Sequence, residues 1–576
     1  MKVCYLGRAS ARTNPAPQGT DDVLELLWDD WDDFGNKNSF GLTCQIKGER
    51  VYLDGIRLLA PGEPRFADAL NRLRGKGWDG TFPIPEIEYI SVPADITFYQ
   101  QLKARLGMDG ARQVAMVLRD ASYHVKVLED AGAIQLSQGR PFVESLQRER
   151  GSQTAFFDGW RVFEDQIIAV QNFRFEFTDV YKATSTLALN FDTESLLPHE
   201  MNVLIGPNGA GKSRILLQMV RAWLGTGSDN ERFPEPPNLT QLVVVSYSPF
   251  EQFPVDLQGV DLRDKEVYRY FGLLGRLPET GQAQPGKITV DLRVPERDAV
   301  RSIIQCAKDD HKFRVVLDWA RKVRTMERVL GVAFQFDYAA VELPIGSDKK
   351  NYYWDDPNAE ATAGFIFEDR RYLPISSHNV WQLHTERLLQ DANQESGIHF
   401  FRDDVAIKLS SGQRLFTYIV INLLGVMRRN SLILIDEPEL FLHPTLEIKF
   451  VEMLKEILAS FNSKALLATH SEVVVREIPA ECVHVLQRTA TGLAITHPPF
   501  ETFGGDIQRI SSYVFGDDHV SKPFEQWAEK QIEHFGSKEA LIEKLGDGIS
   551  RELLIQIKMH GGEYSNCASR RPGYDA

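Results

Sequence analysis

The stretch that constrains this chain most is MNVLIGPNGAGKSRILLQMV, residues 201–220. Gly206, Gly211, Lys212 and Ser213 fit G-x-x-x-x-G-K-[ST], with a buried-strand pattern before them and an amphipathic helix pattern after. The order has a physical reason. Glycines let backbone N–H groups curl round a phosphate, and the helix N-terminus adds its partial positive charge. The loop Gly206, Pro207, Asn208, Gly209, Ala210, Gly211 is predicted to wrap the phosphates, with Lys212 reaching the β- and γ-phosphates. Ser213 offers a hydroxyl to Mg²⁺. The chain is predicted to bind a nucleoside triphosphate.

A second run must supply a metal-binding carboxylate and a group that activates water. SLILIDEPELFLHP (431–444) ends a hydrophobic strand on both: Asp436 to hold Mg²⁺, directly or through water, and Glu437 to orient and polarise the attacking water. A third strand, ALLATHS (465–471), ends with His470, placed to contact the γ-phosphate. Taken singly, two acids at a strand end are solvated turn residues and a lone His is structural. The order strand, acids, helix, strand, His is what gives them weight. KLSSGQR (408–414) precedes an apolar helical stripe of Leu415, Phe416, Ile419, Val420, Leu423 and Met427. Ser410 and Ser411 sit where N-caps belong, and Gly412 leaves room for a phosphate at the helix N–H groups. An ordinary capped helix would have the same serines.

GPNGAGKS, then LSSGQ, then LILIDEPE, then ATHS resembles the Walker A, signature, Walker B and switch histidine of the ABC-type ATPases, over about residues 166–500. The resemblance implies an α/β ATPase head, a P-loop NTPase fold with a mixed sheet flanked by helices. It implies ATP and Mg²⁺ as ligands and hydrolysis with Glu437 and His470 as catalytic residues. It also implies that Ser411, Gly412 and Gln413 cap the γ-phosphate held by a second copy, in a head-to-tail homodimer or higher oligomer. Where transporter ATPases continue from Walker B as DEPTxxLD, this chain has DEPELFLHP, which is similar to the SMC, RecF and OLD group. VQNFRFEF is similar to the first strand of that group and would bring Arg174 to phosphate; SYSPFEQF sits at the Q-loop position and offers Gln252 to the metal. There are no long coiled-coil arms, and the residues after 501 lack the Glu and DxD pattern of a TOPRIM nuclease. The likeness runs to stand-alone ATPases of prokaryotic antiphage defence, the Septu PtuA type, which act with a separately encoded nuclease. It implies a switch or sensor with that partner, with DNA or RNA as a further candidate partner. The alternatives are a DNA repair or maintenance ATPase of the SMC/RecF type, a transporter motor, and an ATPase whose N-terminal domain is itself the effector.

Texture divides the chain into an N-terminal α+β domain (1–165), an ATPase lobe with Walker A (166–255), and a partly helical insertion (256–400). A second ATPase lobe (401–500) and a helical C-terminal extension with a tail (501–576) follow. The net charge of −15 excludes a basic nucleic-acid wrapper, so any nucleic-acid contact needs a local patch. Lys312, Arg314, Arg321, Lys322, Arg324 and Arg328 form one candidate, against a helix face paired with Asp309, Asp310 and Glu327. Asp29, Asp30, Asp32 and Asp33 form a candidate metal cluster, against a solvated turn. The N-terminus lacks the apolar core of a signal peptide. The longest apolar run, FTYIVINLLGVM (416–427), falls short of the roughly 20 residues that span a bilayer. Cys4, Cys44, Cys306, Cys482 and Cys567 show no CxxC spacing and predict reduced thiols, with neither disulfide nor zinc. The expectation is a cytoplasmic protein without membrane contact.

Overall fold

The computed structural model describes residues 1–8, 22–28, 38–46, 49–63, 65–164, 170–191, 195–258, 265–276, 286–313, 321–344, 353, 364–489, 492–515, 523–546, 554–555 and 557–558. Asp29, Asp30, Asp32, Asp33, Arg314 and Cys567 lie outside them.

Strands β1 (Lys2–Arg8), β2 (Val23–Trp28), β3 (Ser39–Ile46), β4 (Glu49–Leu59) and β5 (Ile90–Pro93) hydrogen-bond in that order. Only the β1–β2 pair is parallel. Helices α1 (Phe66–Gly75), α2 (Thr97–Val117), α3 (Ala121–Lys126), α4 (Ala131–Ser137) and α5 (Arg150–Phe163) accompany this sheet. Their shared core runs from Val3 to Phe163. The run ARQVAMVLRDASYHVKVL, periodic enough to suggest one helix, is broken between α2 and α3. Arg119 is left-handed (φ 49°) there, and buried Asp120 caps α3 by accepting the Tyr123 N–H.

The next stretch opens with the antiparallel hairpin β6 (Phe173–Thr178) and β7 (Thr184–Leu189), then β8 (Met201–Ile205), α6 (Lys212–Leu224), β9 (Gln241–Ser246) and β10 (Tyr268–Gly272). It continues through β11 (Leu274–Arg276), β12 (Ile288–Val290), α7 (Val294–Lys312), α8 (Lys322–Ala333), β13 (Tyr338–Leu343), β14 (Phe365–Phe367), β15 (Arg370–Ile375), α9 (Thr385–Asp391), β16 (Ile398–Arg402) and β17 (Val405–Ala406). It closes with α10 (Ser411–Val426), β18 (Ser431–Asp436), α11 (Pro444–Phe461), β19 (Lys464–Thr469), α12 (Glu472–Val475), β20 (Val483–Thr489) and β21 (Gly492–Thr496).

The central sheet has the order β10-β9-β18-β19-β8-β20-β21, parallel throughout except at β21. Every residue of β8, β9 and β18 is buried, the pattern of parallel strands covered on both faces. Each such Leu, Ile or Val contributes about 1.5 to 3 kcal/mol by leaving water. Because β8, β9, β18 and β19 are parallel, their carboxyl ends share one edge: Asp436 pairs in register with Ser246 and Ala468, and Ile205 with Thr469.

Packing adds to three expectations. The insertion holds α7 and α8, but β10 joins the central sheet and β14-β15-β13-β16-β17 form a sheet of their own. The strand YRYFG is too short to show alternation; the open edge of β9 recruits it. Residues Phe416 to Gly425 of α10 are all buried, so that helix has no single stripe; α7, α8 and α11 pack against it. The candidate basic patch is partly internal. Lys322, 1% exposed, donates to Asp309 at 2.7 Å, and Arg328 pairs with Glu456.

Gln508–Ala576 is a second compact unit; α13 (Ile507–Phe515) begins at its boundary, and α14 (Pro523–Phe535) and α15 (Lys538–Leu545) lie within it. Ala528, Leu541 and Ile557 form a small core there. Among the described residues no helix is long and apolar enough to cross a membrane.

One buried group in β20 gives a stability prediction. His484 Nε2 donates to Asn202 Oδ1 at 2.8 Å, an orientation consistent with the Asn202 amide nitrogen donating to the Asn190 carbonyl. Burial pushes the imidazole pKa down to about 3. As pH falls below about 6.5, the unfolded chain takes up a proton that the folded chain refuses until about 3. Stability is therefore lost on acidification across this window, at about 1.4 kcal/mol per pH unit from this group. His484→Gln keeps a donor for Asn202 and flattens that slope in denaturant midpoints measured against pH; an unchanged slope refutes the assignment.

Candidate functional site

β8 is wholly buried, and the chain leaves it through the glycine loop into α6. Gly209 (φ 73°) and Gly211 (φ 100°) are left-handed, which L side chains adopt only at a cost. A Cβ on Gly211 would also lie 3.0 Å from Val180 Cγ1. The loop therefore needs glycine twice over, for conformation and for space. Gly211 is the N-cap of α6, so the first turn's N–H groups and the helix dipole lie beside Lys212 and Ser213.

Lys212 is 5% exposed. Its ammonium donates to the Gly206 carbonyl at 3.1 Å and lies 2.7 Å from His470 Nε2. The ammonium is the donor, so His470 accepts at Nε2 and carries its proton on Nδ1. Burial lowers the Lys212 pKa, with Glu437, Glu439 and Asp436 opposing. Burial and then the Lys212 charge lower His470, which favours the neutral ring that this contact requires.

Ser213 Oγ donates to Asp436 Oδ1 at 2.9 Å. Asp436 is 4% exposed, and burial pushes its pKa up to about 7; the Ser213 hydrogen bond opposes this and the Glu437 charge adds to it. A shielded carboxylate beside a hydroxyl is a hard-oxygen pair short of positive charge. The pair has the chemistry for Mg²⁺, which Ser213 and Asp436 would hold.

Glu437 follows with left-handed backbone (φ 50°, ψ 57°), strained for a side chain of its size. Its N–H donates to the Ala468 carbonyl at 2.8 Å, so the turn at the end of β18 is tied to β19. The carboxylate is partly buried, and its charge acts on Lys212, Asp436 and His470.

The fold thus brings Gly206, Lys212, Ser213, Asp436, Glu437 and His470 to one sheet edge. The signature residues are engaged differently. Ser410 caps α10 by accepting the Gln413 N–H at 3.3 Å, and Gln413 Oε1 accepts the Ser410 N–H at 3.1 Å. Gln413 is therefore a capping-box partner here, while Ser411 is exposed. Arg174 is exposed on β6, with its guanidinium 3.7 Å from Glu235. Gln252 is exposed as well; the neighbouring Glu251 is the side chain that feels the Asp436 charge. Glu251 accepts from the Tyr270 hydroxyl, and burial pushes its pKa up to about 7.

Sequence reasoning missed three residues. Besides Glu251, Glu439 accepts from the His470 N–H and the Thr469 hydroxyl. Arg488 in β20 donates to the Gly209 carbonyl at 3.0 Å, from 279 residues away. DEPE hinted at the second glutamate, but nothing near Arg488 in sequence points to the loop. A cavity of about 1660 Å³ opens elsewhere, beside β4, β10 and α7; its lining includes neither the P-loop nor Asp436, so size alone does not locate the chemistry.

This sheet order and cluster make a mixed α/β fold built around a P-loop. Residues 201–476 match the family described as AAA domain, putative AbiEii toxin, Type IV TA system. The match begins at β8 and ends just past α12, so it includes every motif of the cluster. A curated relative, Protein ea59 of Escherichia phage lambda, is 23% identical over 384 residues. The alignment takes in 65% of this chain, and the chain spans 65% of that protein's length. Similar solved structures include the SMC head domain from Thermotoga maritima, with 12% identity, TM-score 0.26, and coverage of 58% of this chain and 100% of that one. Another is the SmcHead bound to the C-winged helix domain of ScpA, with 10% identity, TM-score 0.29, and coverage of 57% and 97%.

Proposed function

We propose that this protein binds ATP with Mg²⁺, hydrolyses it at a site completed by a second copy, and uses the cycle as a switch on a separately encoded nuclease or effector in prokaryotic antiphage defence. The observation that carries the ATPase reading is the cluster of Lys212, His470, Ser213 and Asp436, joined at 2.7 Å and 2.9 Å across three parallel strand ends. Ser213 and Asp436 would hold the metal, which supplies charge to neutralise the phosphates. Lys212 exchanges its Gly206 and His470 contacts for phosphate oxygens. That frees His470, which would meet the γ-phosphate as a donor once its proton is on Nε2, and Glu437 polarises the attacking water.

The exposed Ser411 supports action across a dimer, because a γ-phosphate on another copy could approach it. The family description, an AAA domain and putative toxin of a Type IV TA system, supports an ATPase-type domain in a toxin or defence setting. A DNA-maintenance ATPase of the SMC/RecF kind is supported by the same cluster. Nuclease activity that appears only with a genomically adjacent partner favours the first; ATPase stimulated by duplex DNA alone favours the second.

The composite site has its own test. Ser411→Arg fills the approach to the signature and Lys212→Ala disables the P-loop, so each protein alone is inactive. In a mixed dimer one site carries both defects and the other none. After subunit exchange, the mixture recovers about a quarter of wild-type activity, by the symmetry of a two-fold pair. Demonstrated exchange without recovered ATPase counts against the composite site.

A further inference from the structure

We propose that Glu439 is a positioning residue: its carboxylate fastens the turn after β18 to the end of β19 and so sets His470 and Glu437 in one geometry toward the phosphate. This rests on the ATPase reading of the cluster.

Glu439 lies in the single turn Pro438–Phe441, three residues past Asp436. Oε1 accepts the backbone N–H of His470 at 2.6 Å, and Oε2 accepts the Thr469 hydroxyl proton at 2.7 Å. Thr469 Oγ1 in turn accepts the Ser471 N–H at 2.9 Å, and Ser471 caps α12 by accepting the Val474 N–H at 3.2 Å. Ser471 Oγ also bonds Glu447 of α11. One carboxylate therefore organises the segment on which His470 stands, and α11 and α12 brace the far side. The same turn is tied a second time, where the Glu437 N–H meets the Ala468 carbonyl at 2.8 Å. Two ties two residues apart hold the chain between them, and the side chain of Glu437 leaves that stretch. His470 then meets Lys212 at 2.7 Å.

Charge and reach make different demands here. Both carboxylate oxygens already accept from the strand end, so their role is anchorage; a water-activating base needs an oxygen aimed at water. A glutamine has the same length. Its oxygen accepts the His470 N–H, and its amide faces a Thr469 oxygen able to accept. An aspartate keeps the charge but is one methylene short of spanning both donors. A base would tolerate neither change, whereas an anchor tolerates the first.

The experiment measures ATP affinity and steady-state ATPase for wild type, Glu439→Gln, Glu439→Asp and Glu437→Gln, each confirmed folded by ATP binding. Glu439→Gln should retain kcat within about threefold of wild type. Glu439→Asp should lose about 10- to 100-fold in kcat, the scale of a roughly 1 Å misplacement of catalytic groups, with ATP affinity within about threefold. Wild-type kcat in Glu439→Asp overturns the proposal. So does a Glu439→Gln protein as inactive as Glu437→Gln, which would make Glu439 a proton-transfer group. If the wild-type protein neither binds nor turns over ATP, the ATPase reading fails first and this inference falls with it.

Discussion

Lys212→Ala should abolish ATP turnover and weaken ATP binding by about a thousandfold. Lys212 is 5% exposed beside the glycine loop, so its attraction for phosphate is little screened. A pair of unit charges 4 Å apart is worth about 4 kcal/mol at the effective dielectric of a protein surface. At about 1.4 kcal/mol per decade, that is roughly three decades of affinity. The fold itself should not suffer. Burial disfavours the Lys212 charge, which offsets the loss of its contacts with Gly206 and His470, so the melting temperature should change little. Calorimetric titration with ATP, ATPase assay and thermal melting of the same preparation check all three. Near-wild-type turnover in a folded Lys212→Ala protein would falsify the P-loop assignment.

Glu437→Gln should separate binding from chemistry. The amide keeps the size of the side chain and leaves Ser213 and Asp436 in place for the metal, but it cannot polarise water as a carboxylate does. The loss in kcat should be about 10²- to 10⁴-fold, the usual worth of a positioned acid–base group, with ATP affinity within a few-fold of wild type. Trapped ATP should hold two copies together, visible as a dimer by size and native mass. Wild-type hydrolysis would remove Glu437 from its role. A monomeric ATP-bound Glu437→Gln protein would remove the composite site instead.

The part of the site legible in the sequence is the part made of neighbours in the chain. A phosphate cradle uses eight consecutive residues, Gly206 to Ser213, and its demands on conformation and charge are met within that span. Asp436 and Glu437 were legible for a similar reason: a solidly apolar strand must end where the chain meets water, and acids at that end face the edge of the sheet. The capping serine of α10 followed from the same local rules, whereas His470 drew its weight from the order of the motifs. Where the sequence left alternatives open, packing decided. Of the two readings of the Lys322 stretch, a basic patch or a face paired with Asp309, burial of Lys322 against Asp309 and Phe461 selects the pairing. Gln252 looked like the polar residue of its loop, but the turn exposes it and directs Glu251 inward.

The sequence alone therefore determined a glycine-rich turn between strand and helix, a strand that ends on acids and a parallel α/β sheet, because those follow from short-range sterics, capping and strand-length apolar runs. Tertiary structure decided that β19 lies between β8 and β18, which brings His470 to Lys212 across 258 residues. It also decided that Glu439 reaches Thr469 and His470, that Arg488 closes on the loop, and that α10 is buried all round. Strand order carries no local signal: the pairings that set it are rewarded only once distant segments have met, and the same apolar strands would satisfy any neighbour of matching length and twist.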